Sequence, residues 1–459
     1  MVVSVSGYLV SVLGDFVKES KLVMIAGHPG SGKTTLAATM CLYAVERGEK
    51  CLYISFQEDR ERLFKQLAGV GIDFEPFNKR GLLKFIKLPV PASEDAARAF
   101  IEELSKIVSE FSPRLIAIDS ISPLFINMRD DAEARGYLQN FFWELQKLIK
   151  GTVILVSEIP LGQEYTSFGW IEFVADAVLI LKHRIQRGLI ERVMEVRKIR
   201  GRELTVAEIP FSIQNKIGIV VYPPIVLSEV RPGKKKRRFI LHGEEFQIPE
   251  FVGPAMVVFI DYPPELTLSL PLLYSILTSI LSSDNEKILV VEYWFTEEQI
   301  RDFLIDNLRF YGANDNTIRY ILDRVIIKTL NPTAYSIPER FSQTIEIIEE
   351  VNPATAIFHD IAILTTSPSD VSYYITLVYN FLLYLKSRGI DSIRLHSRIN
   401  PFAELYKVMA DHIISILCKD NLCSDYLIYS FLNGRRYSFS WSGLEGFIRK
   451  VIEYLNQKQ

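Results

Sequence analysis

The chain has 459 residues, of which 48% are hydrophobic and 23% charged, with a formal net charge of −3. This is the composition of an ordinary globular chain with two or three sizeable cores, rather than of a disordered one. A charge so near neutral argues neither for nor against a polyanionic partner.

In chain order, Asp15, Lys18 and Glu19 interrupt the first apolar run, so no secretory signal is expected. Leu22–Ala26 predicts a short strand, Thr34–Glu46 a helix and Cys51–Phe56 a β-branched and aromatic strand. Ala96–Ser109 predicts a helix, Leu115–Ile118 a strand ending in Asp119, and Arg135–Ile149 a helix. Val153–Val156 and Val178–Leu181 add two strands. Strands alternating with helices imply a mainly parallel sheet covered on both faces.

Arg231–Arg238 reads RPGKKKRR, a run that repels itself and marks a linker; its other reading is a nucleic-acid contact. The strand and helix signals then restart. Met256–Ile260 is an apolar strand running into DYPPE, Asp261–Glu265. Leu266–Ser283 carries no charge and is long enough to be weighed as a membrane span, but Pro271 and its many Ser and Thr point to a buried core helix. Ile288–Val291 and Ala356–Phe358 are strands, the second ending in His359 and Asp360, and Glu297–Glu298 precede a helical stretch. Late in each half comes an echo: VADAVLIL at Val174–Leu181 and MADHIISI at Met409–Ile416, followed by RKIRGRE (Arg197–Glu203) and FLNGRRY (Phe431–Tyr437). Landmarks in one order argue for an internal duplication against two unrelated α/β domains. The expected division is a first domain at 1–228, a basic linker at 229–240 and a second domain at 241–459. Cys41, Cys51, Cys418 and Cys423 form no zinc pattern, and the six histidines are not expected to cluster, so buried thiols in a reducing cytoplasm are expected.

Gly27-His28-Pro29-Gly30-Ser31-Gly32-Lys33-Thr34, followed by Thr35, matches G-x-x-x-x-G-K-[ST] in full, between a strand and a helix. Glycines let backbone N–H groups turn inward around an anion, and the helix start adds its positive dipole end. Lys33 offers a point charge to the β- and γ-phosphates of ATP, and the Thr34 hydroxyl a Mg2+ position. Asp119 closes another strand and is the candidate metal partner, its alternative being a helix N-cap. Glu58, after the second strand, is the leading candidate to deprotonate water; Asp59 is a poorer one, and both could be a solvated pair opening a helix.

Together, GHPGSGKTT, YISFQED (Tyr53–Asp59), IDSIS (Ile118–Ser122), EFVADAVLIL (Glu172–Leu181) and EVRKIRGRE (Glu195–Glu203) resemble the KaiC-like branch of the RecA superfamily over residues 1–225. The resemblance implies an ATP-binding RecA fold that assembles into rings, commonly hexamers. It also implies that a Lys and an Arg from the adjacent subunit reach the γ-phosphate, here Lys198 and Arg200; their other reading is a basic strand face. The family's second strand usually ends in two glutamates, whereas this chain has Gln57 and Glu58. Gln57 cannot take a proton, so reliable ATP binding and modest hydrolysis are expected. Aligned on Pro29 and Pro263, the second half offers Asp261–Leu268, with no glycine in the turn and no lysine after it, so it should not bind nucleotide. The expected fold is two tandem RecA-like three-layer α/β domains, the second degenerate. More loosely, the layout resembles the archaeal gas-vesicle regulators of the GvpD type.

Three functions are weighed. One is an ATP-dependent regulatory or assembly switch, with the second domain turned to a protein partner. Another is a recombinase-like DNA-binding ATPase, but Phe125–Arg135 mixes arginines with acids and Pro160–Trp170 is aromatic with few positive charges, so nucleic acid is not favoured. The third is a non-hydrolysing scaffold stabilised by ATP.

Overall fold

A computed structural model describes residues 3–90, 94–123, 132–160, 174–225 (without 187, 205–206 and 216–217), 237–238, 252–253, and 255–459 (without 267, 283–285, 362–370, 399–406, 421–424 and 433–434). The chain divides into two compact units, Val2–Pro224 and Ile225–Gln459. Of the expected linker, only Arg237–Arg238 is described, a short strand paired with Val252–Gly253. Most of Phe125–Arg135 and nearly all of Pro160–Trp170 lie outside the described residues.

Among the described residues the first unit carries ten strands: β1 (Val3–Ser4), β2 (Lys21–Gly27), β3 (Cys51–Ser55), β4 (Leu83–Lys87), β5 (Leu115–Asp119), β6 (Thr152–Glu158), β7 (Ala177–Gln186), β8 (Leu189–Ile199), β9 (Glu208–Gln214) and β10 (Gly218–Val221). They form one sheet in the order β1-β10-β9-β8-β7-β2-β6-β5-β3-β4. The run from β7 to β4 is parallel, and an antiparallel extension follows β7. Along β2, Val23 and Ile25 face a core built with helices Val5–Leu13, Lys33–Glu46 and Arg60–Gly69. Leu22, Met24 and Ala26 face a second core under helices Glu94–Phe111 and Ala132–Ile149. Burial on both faces is why the central strands read as unbroken apolar runs. The edge strand β4, LKFIK, is only half-buried and interleaves lysines, so it carries little apolar signal.

Among the described residues the second unit has eight main strands: β13 (Val257–Tyr262), β14 (Ile288–Glu292), β15 (Val325–Thr329), β16 (Thr355–His359), β17 (Asp391–Ser397), β18 (His412–Cys418), β19 (Tyr426–Leu432) and β20 (Arg435–Ser440); β11 and β12 are the short linker pair. Their order, β15-β14-β16-β17-β13-β18-β19-β20, repeats the first sheet's β4-β3-β5-β6-β2-β7-β8-β9 strand for strand. Helices again cover both faces: Ser269–Ser282, Glu297–Phe310, Asp315–Leu322 and Trp441–Lys458 on one, Ile337–Val351 and Val371–Arg388 on the other. Both halves are therefore tandem RecA-like α/β sheets.

The echoes noted in the sequence have a physical counterpart. The Asp176 carboxylate accepts from the Leu22 N–H, opening β2 beside β7, at 2.8 Å. Asp411 does the same for Val257, opening β13 beside β18, at 2.9 Å. After β3, Ser55 Oγ accepts from the N–H groups of Gln57 and Glu58; after β14, Glu292 accepts from Trp294 and Phe295.

These shared caps correct the sequence alignment of the two halves by one residue. Counted from the capped positions Leu22 and Val257, Gly27 corresponds to Tyr262, not Asp261. The prolines are a poorer guide, because they lie in a turn that the second half has rebuilt.

The uncharged stretch forms the helix Ser269–Ser282, with Leu272, Leu273, Ile276 and Leu277 fully buried. Its Ser275, Thr278 and Ser279 hydroxyls donate to carbonyls one turn back, which satisfies them inside a core. No helix among the described residues is long and apolar enough to cross a membrane. Cys41 and Cys51 are buried free thiols, but Cys418 is disulfide-bonded, correcting the expectation of four thiols; Cys423 lies outside the described residues.

Candidate functional site

The glycine-rich turn follows β2 and leads into helix Lys33–Glu46. Gly30 and Gly32 adopt φ of 77° and 101°, a region that a side chain would strain. Gly27 has a different reason. A Cβ there would lie 2.4 Å from the Leu181 carbonyl oxygen of β7 and 2.6 Å from Ser31 Oγ. Ser31 is fully buried, and its hydroxyl has no partner. His28 anchors the turn from the side, its Nδ1 lying 3.0 Å from the Ile159 carbonyl oxygen. Pro29 and Gly30 are exposed, and Thr34 and Thr35 begin the helix half-buried.

Lys33 is 8% exposed, and its ammonium donates to the His28 carbonyl at 2.9 Å. Burial holds Lys33 below the ordinary lysine range, while the charges of Glu158 and Asp119 pull the other way.

Asp119 closes β5. It accepts from the Tyr53 hydroxyl at 2.8 Å and from the Thr34 hydroxyl. Burial raises its carboxyl above the ordinary range; the bonds from Thr34 and Tyr53 and the Lys33 charge oppose that rise. Through its bond from Thr34, Asp119 faces the start of Lys33–Glu46. Glu58 is half-buried, with one carboxylate oxygen buried and unpartnered, and its charge is felt at Asp119. Gln57 is exposed, and Asp59 turns away to pair with Lys87 at 2.8 Å.

The structure thus gathers Gly27–Thr35, Glu58 and Asp119 at one end of the parallel strands, where open α/β sheets bind ligands. It adds Glu158, at the end of β6, which no motif announced. It does not bring Lys198 and Arg200 there. Gly27 aligns with Leu181 and Met194 across β7 and β8, whereas Lys198 aligns with Val178. Four residues of strand put Lys198 roughly 13 Å further along the sheet. Arg200 lies beyond it and pairs with Asp176 at 3.6 Å.

Does this end of the sheet suit a magnesium–nucleotide complex? Glycine-lined N–H groups, a buried ammonium, a hydroxyl bonded to a carboxylate and two unpartnered buried oxygens all fit. Among the described residues no group of three His, Cys, Asp or Glu side chains could hold a metal alone. Magnesium commonly keeps water and substrate phosphates beside one or two carboxylates, so Thr34 and Asp119 suffice.

The same positions in the second unit hold different chemistry. Tyr262 replaces Gly27, His359 replaces Asp119 at the end of a five-residue strand, Glu292 replaces Ser55, and Phe295 replaces Glu58. The Tyr262 hydroxyl lies 2.8 Å from His359 Nε2, and His359 Nδ1 lies 2.8 and 2.9 Å from the two Glu292 oxygens. Asp261 takes Arg398 at 2.7 Å and Ser415 at 2.5 Å. His359 and His396, 37 residues apart in sequence, both lie within 4 Å of Asp360. Side chains of this unit thus bond one another where the first unit has its glycine-rich turn, Lys33 and Asp119.

A family model described as "ATPase: KaiC" matches residues 9–225. The circadian clock protein KaiC3 of Synechocystis is 28% identical over 221 residues, 46% of this chain and 44% of that protein. The circadian clock oscillator protein KaiC of Picosynechococcus is 29% identical over 204 residues, 42% of this chain and 39% of that protein. The chain therefore spans less than half the length of these KaiC relatives. A UPF0273 protein of Pyrococcus horikoshii is 26% identical over 233 residues, 47% of this chain and 91% of that protein. With the P-loop geometry in place, residues 9–225 constitute a KaiC-family ATPase domain of the RecA-like P-loop class.

Proposed function

We propose that the first unit binds ATP with Mg2+ and hydrolyses it slowly, and that nucleotide state sets the assembly or conformation of the protein as a regulatory switch. The observation that carries this is the convergence of the glycine turn, buried Lys33 and the Thr34–Asp119 pair at the ends of β2 and β5. Backbone N–H groups from Gly27 to Thr35 and the Lys33 ammonium would hold the phosphates. Thr34 and Asp119 would hold magnesium, which supplies charge neutralisation at the β- and γ-phosphates. Glu58, whose free oxygen is buried near Asp119, would take the proton of the attacking water. Gln57 leaves that step with one acid instead of two.

Lys198 and Arg200 are too far along the sheet to serve their own chain's phosphates. A role for them in a homo-oligomeric ring, reaching a neighbour's γ-phosphate, accords with that position. The second unit, with no phosphate lysine, is the surface for a protein partner.

Titration of the full chain with Mg-ATP, beside a phosphate-release assay, tests this. Lys33→Ala should abolish binding with the fold retained. Glu58→Gln should keep binding and remove turnover; equal rates in both proteins would rule Glu58 out as the base. Binding with no turnover in the unmodified chain would favour the ATP-stabilised scaffold. If Arg200 acts in trans, mixing Arg200→Ala with Lys33→Ala protein should restore part of the activity.

A further inference from the structure

We propose that Glu158 is a specificity-determining residue that makes the site select the magnesium complex of the nucleotide over free nucleotide. The proposal rests on the nucleotide reading above and adds a residue to it.

Glu158 is the last residue of β6 and aligns with Gly27 across the sheet. Its backbone is fixed from both sides. The Glu158 N–H donates to Ser122 Oγ at 2.8 Å, and the Ile159 N–H donates to the Gly27 carbonyl at 3.0 Å. Side chains alternate along a strand, so Glu158 shares a face with Val156. Val156 is buried in the core beneath helix Lys33–Glu46. The Glu158 carboxylate, exposed at the strand's end, therefore projects on the face where that helix begins, beside Lys33. Its charge accordingly stabilises the Lys33 ammonium against burial, ahead of Asp119 in size.

The charge balance follows. One ammonium, Lys33, feels the charges of Glu158 and Asp119, and Asp119 feels that of Glu58 in turn, so three carboxylates share one cation. A free triphosphate would bring further negative charge into a pocket that is already negative. A divalent cation carried in with the phosphates offsets both. Asp119 and Glu58 have work in holding the metal and activating water. Glu158 is surplus to those roles, and its effect is to penalise phosphates that arrive without a cation.

The test compares binding of a fluorescent ATP analogue to the full chain in excess Mg2+ and in EDTA, for the unmodified protein and Glu158→Gln. The amide keeps the size of an exposed side chain, and the backbone bonds that fix the strand end are untouched. Glu158→Gln should tighten binding in EDTA and narrow the ratio of the two dissociation constants about three- to fivefold, the scale of a partly solvated charge interaction. Raising salt should narrow the ratio in the unmodified protein and leave the variant less affected. An unchanged ratio in Glu158→Gln overturns this proposal alone. Failure of the unmodified chain to bind either form overturns the nucleotide reading and this proposal with it.

Discussion

Lys33→Met separates the demands of binding from those of stability. In the folded protein the Lys33 ammonium is 8% exposed, and burial disfavours its charge. Methionine keeps the length and apolar stem but removes that charge. The His28 carbonyl that Lys33 bonds is not orphaned, because it also accepts from the Ser31 N–H at 3.2 Å. Against the gain, Asp119 and Glu158 lose a nearby positive charge. Replacing both members of a buried ion pair spans neutrality to a gain of about 4 kcal/mol, whereas removing one leaves its partners uncompensated. Because burial outweighs the attraction of Glu158 and Asp119 at Lys33, loss of its charge is a net gain, on the order of 1 kcal/mol. For a unit of this size that raises the melting temperature by about 2–4 °C without nucleotide. In the unmodified protein, ligand at a hundred times its dissociation constant should add about 2.7 kcal/mol. Calorimetry of the full chain with and without Mg-ATP reads both effects. Lys33→Met should start higher and gain nothing from nucleotide. A variant that melts below the unmodified protein without ligand, or that Mg-ATP still stabilises, would refute the reasoning.

Gly27→Ala forces a methyl against the Leu181 carbonyl oxygen, so overpacking should destabilise the first unit by about 1–3 kcal/mol and weaken Mg-ATP binding; unaltered affinity and melting would contradict the packing. Tyr262→Phe removes the hydroxyl bonded to buried His359, and thermal scans should show the second unit weakened by about 1–3 kcal/mol with Mg-ATP affinity unchanged. Burial lowers His412 to about 3 from 6.5, so above pH 6.5 it is neutral folded or unfolded and has no effect. Below that the unfolded chain binds the proton first, and stability should fall by about 2 kcal/mol on reaching pH 5. His396, also lowered by burial, acts in the same direction, so His412→Gln should reduce the acid sensitivity of the second unit without abolishing it. Identical pH profiles for the two proteins would refute this.

The turn between β2 and its helix was legible because glycine, lysine and threonine recur there at a spacing that few other structures require. Asp119 was legible because it ends a fully apolar strand. Glu158 was not: a lone glutamate at a strand end carries no pattern, and only the register of β6 against β2 sets it beside Lys33. The duplication showed through Asp176 and Asp411, since each caps the same strand opening. An alignment on the prolines puts its register one residue off because the second unit has rebuilt the turn around Tyr262, and prolines there no longer mark equivalent points. The histidine cluster was invisible for a similar reason. His359 ends β16 and His396 lies next to the end of the neighbouring β17, and they come to share Asp360 only when the sheet forms, against the expectation that the histidines do not cluster.

The most direct measurement is calorimetric titration of the full chain with Mg-ATP, read for stoichiometry. One nucleotide per chain, lost in Lys33→Ala and kept in Tyr262→Phe, is the predicted result. Two nucleotides per chain, or none, would contradict a single phosphate pocket in the first unit and a self-bonded one in the second.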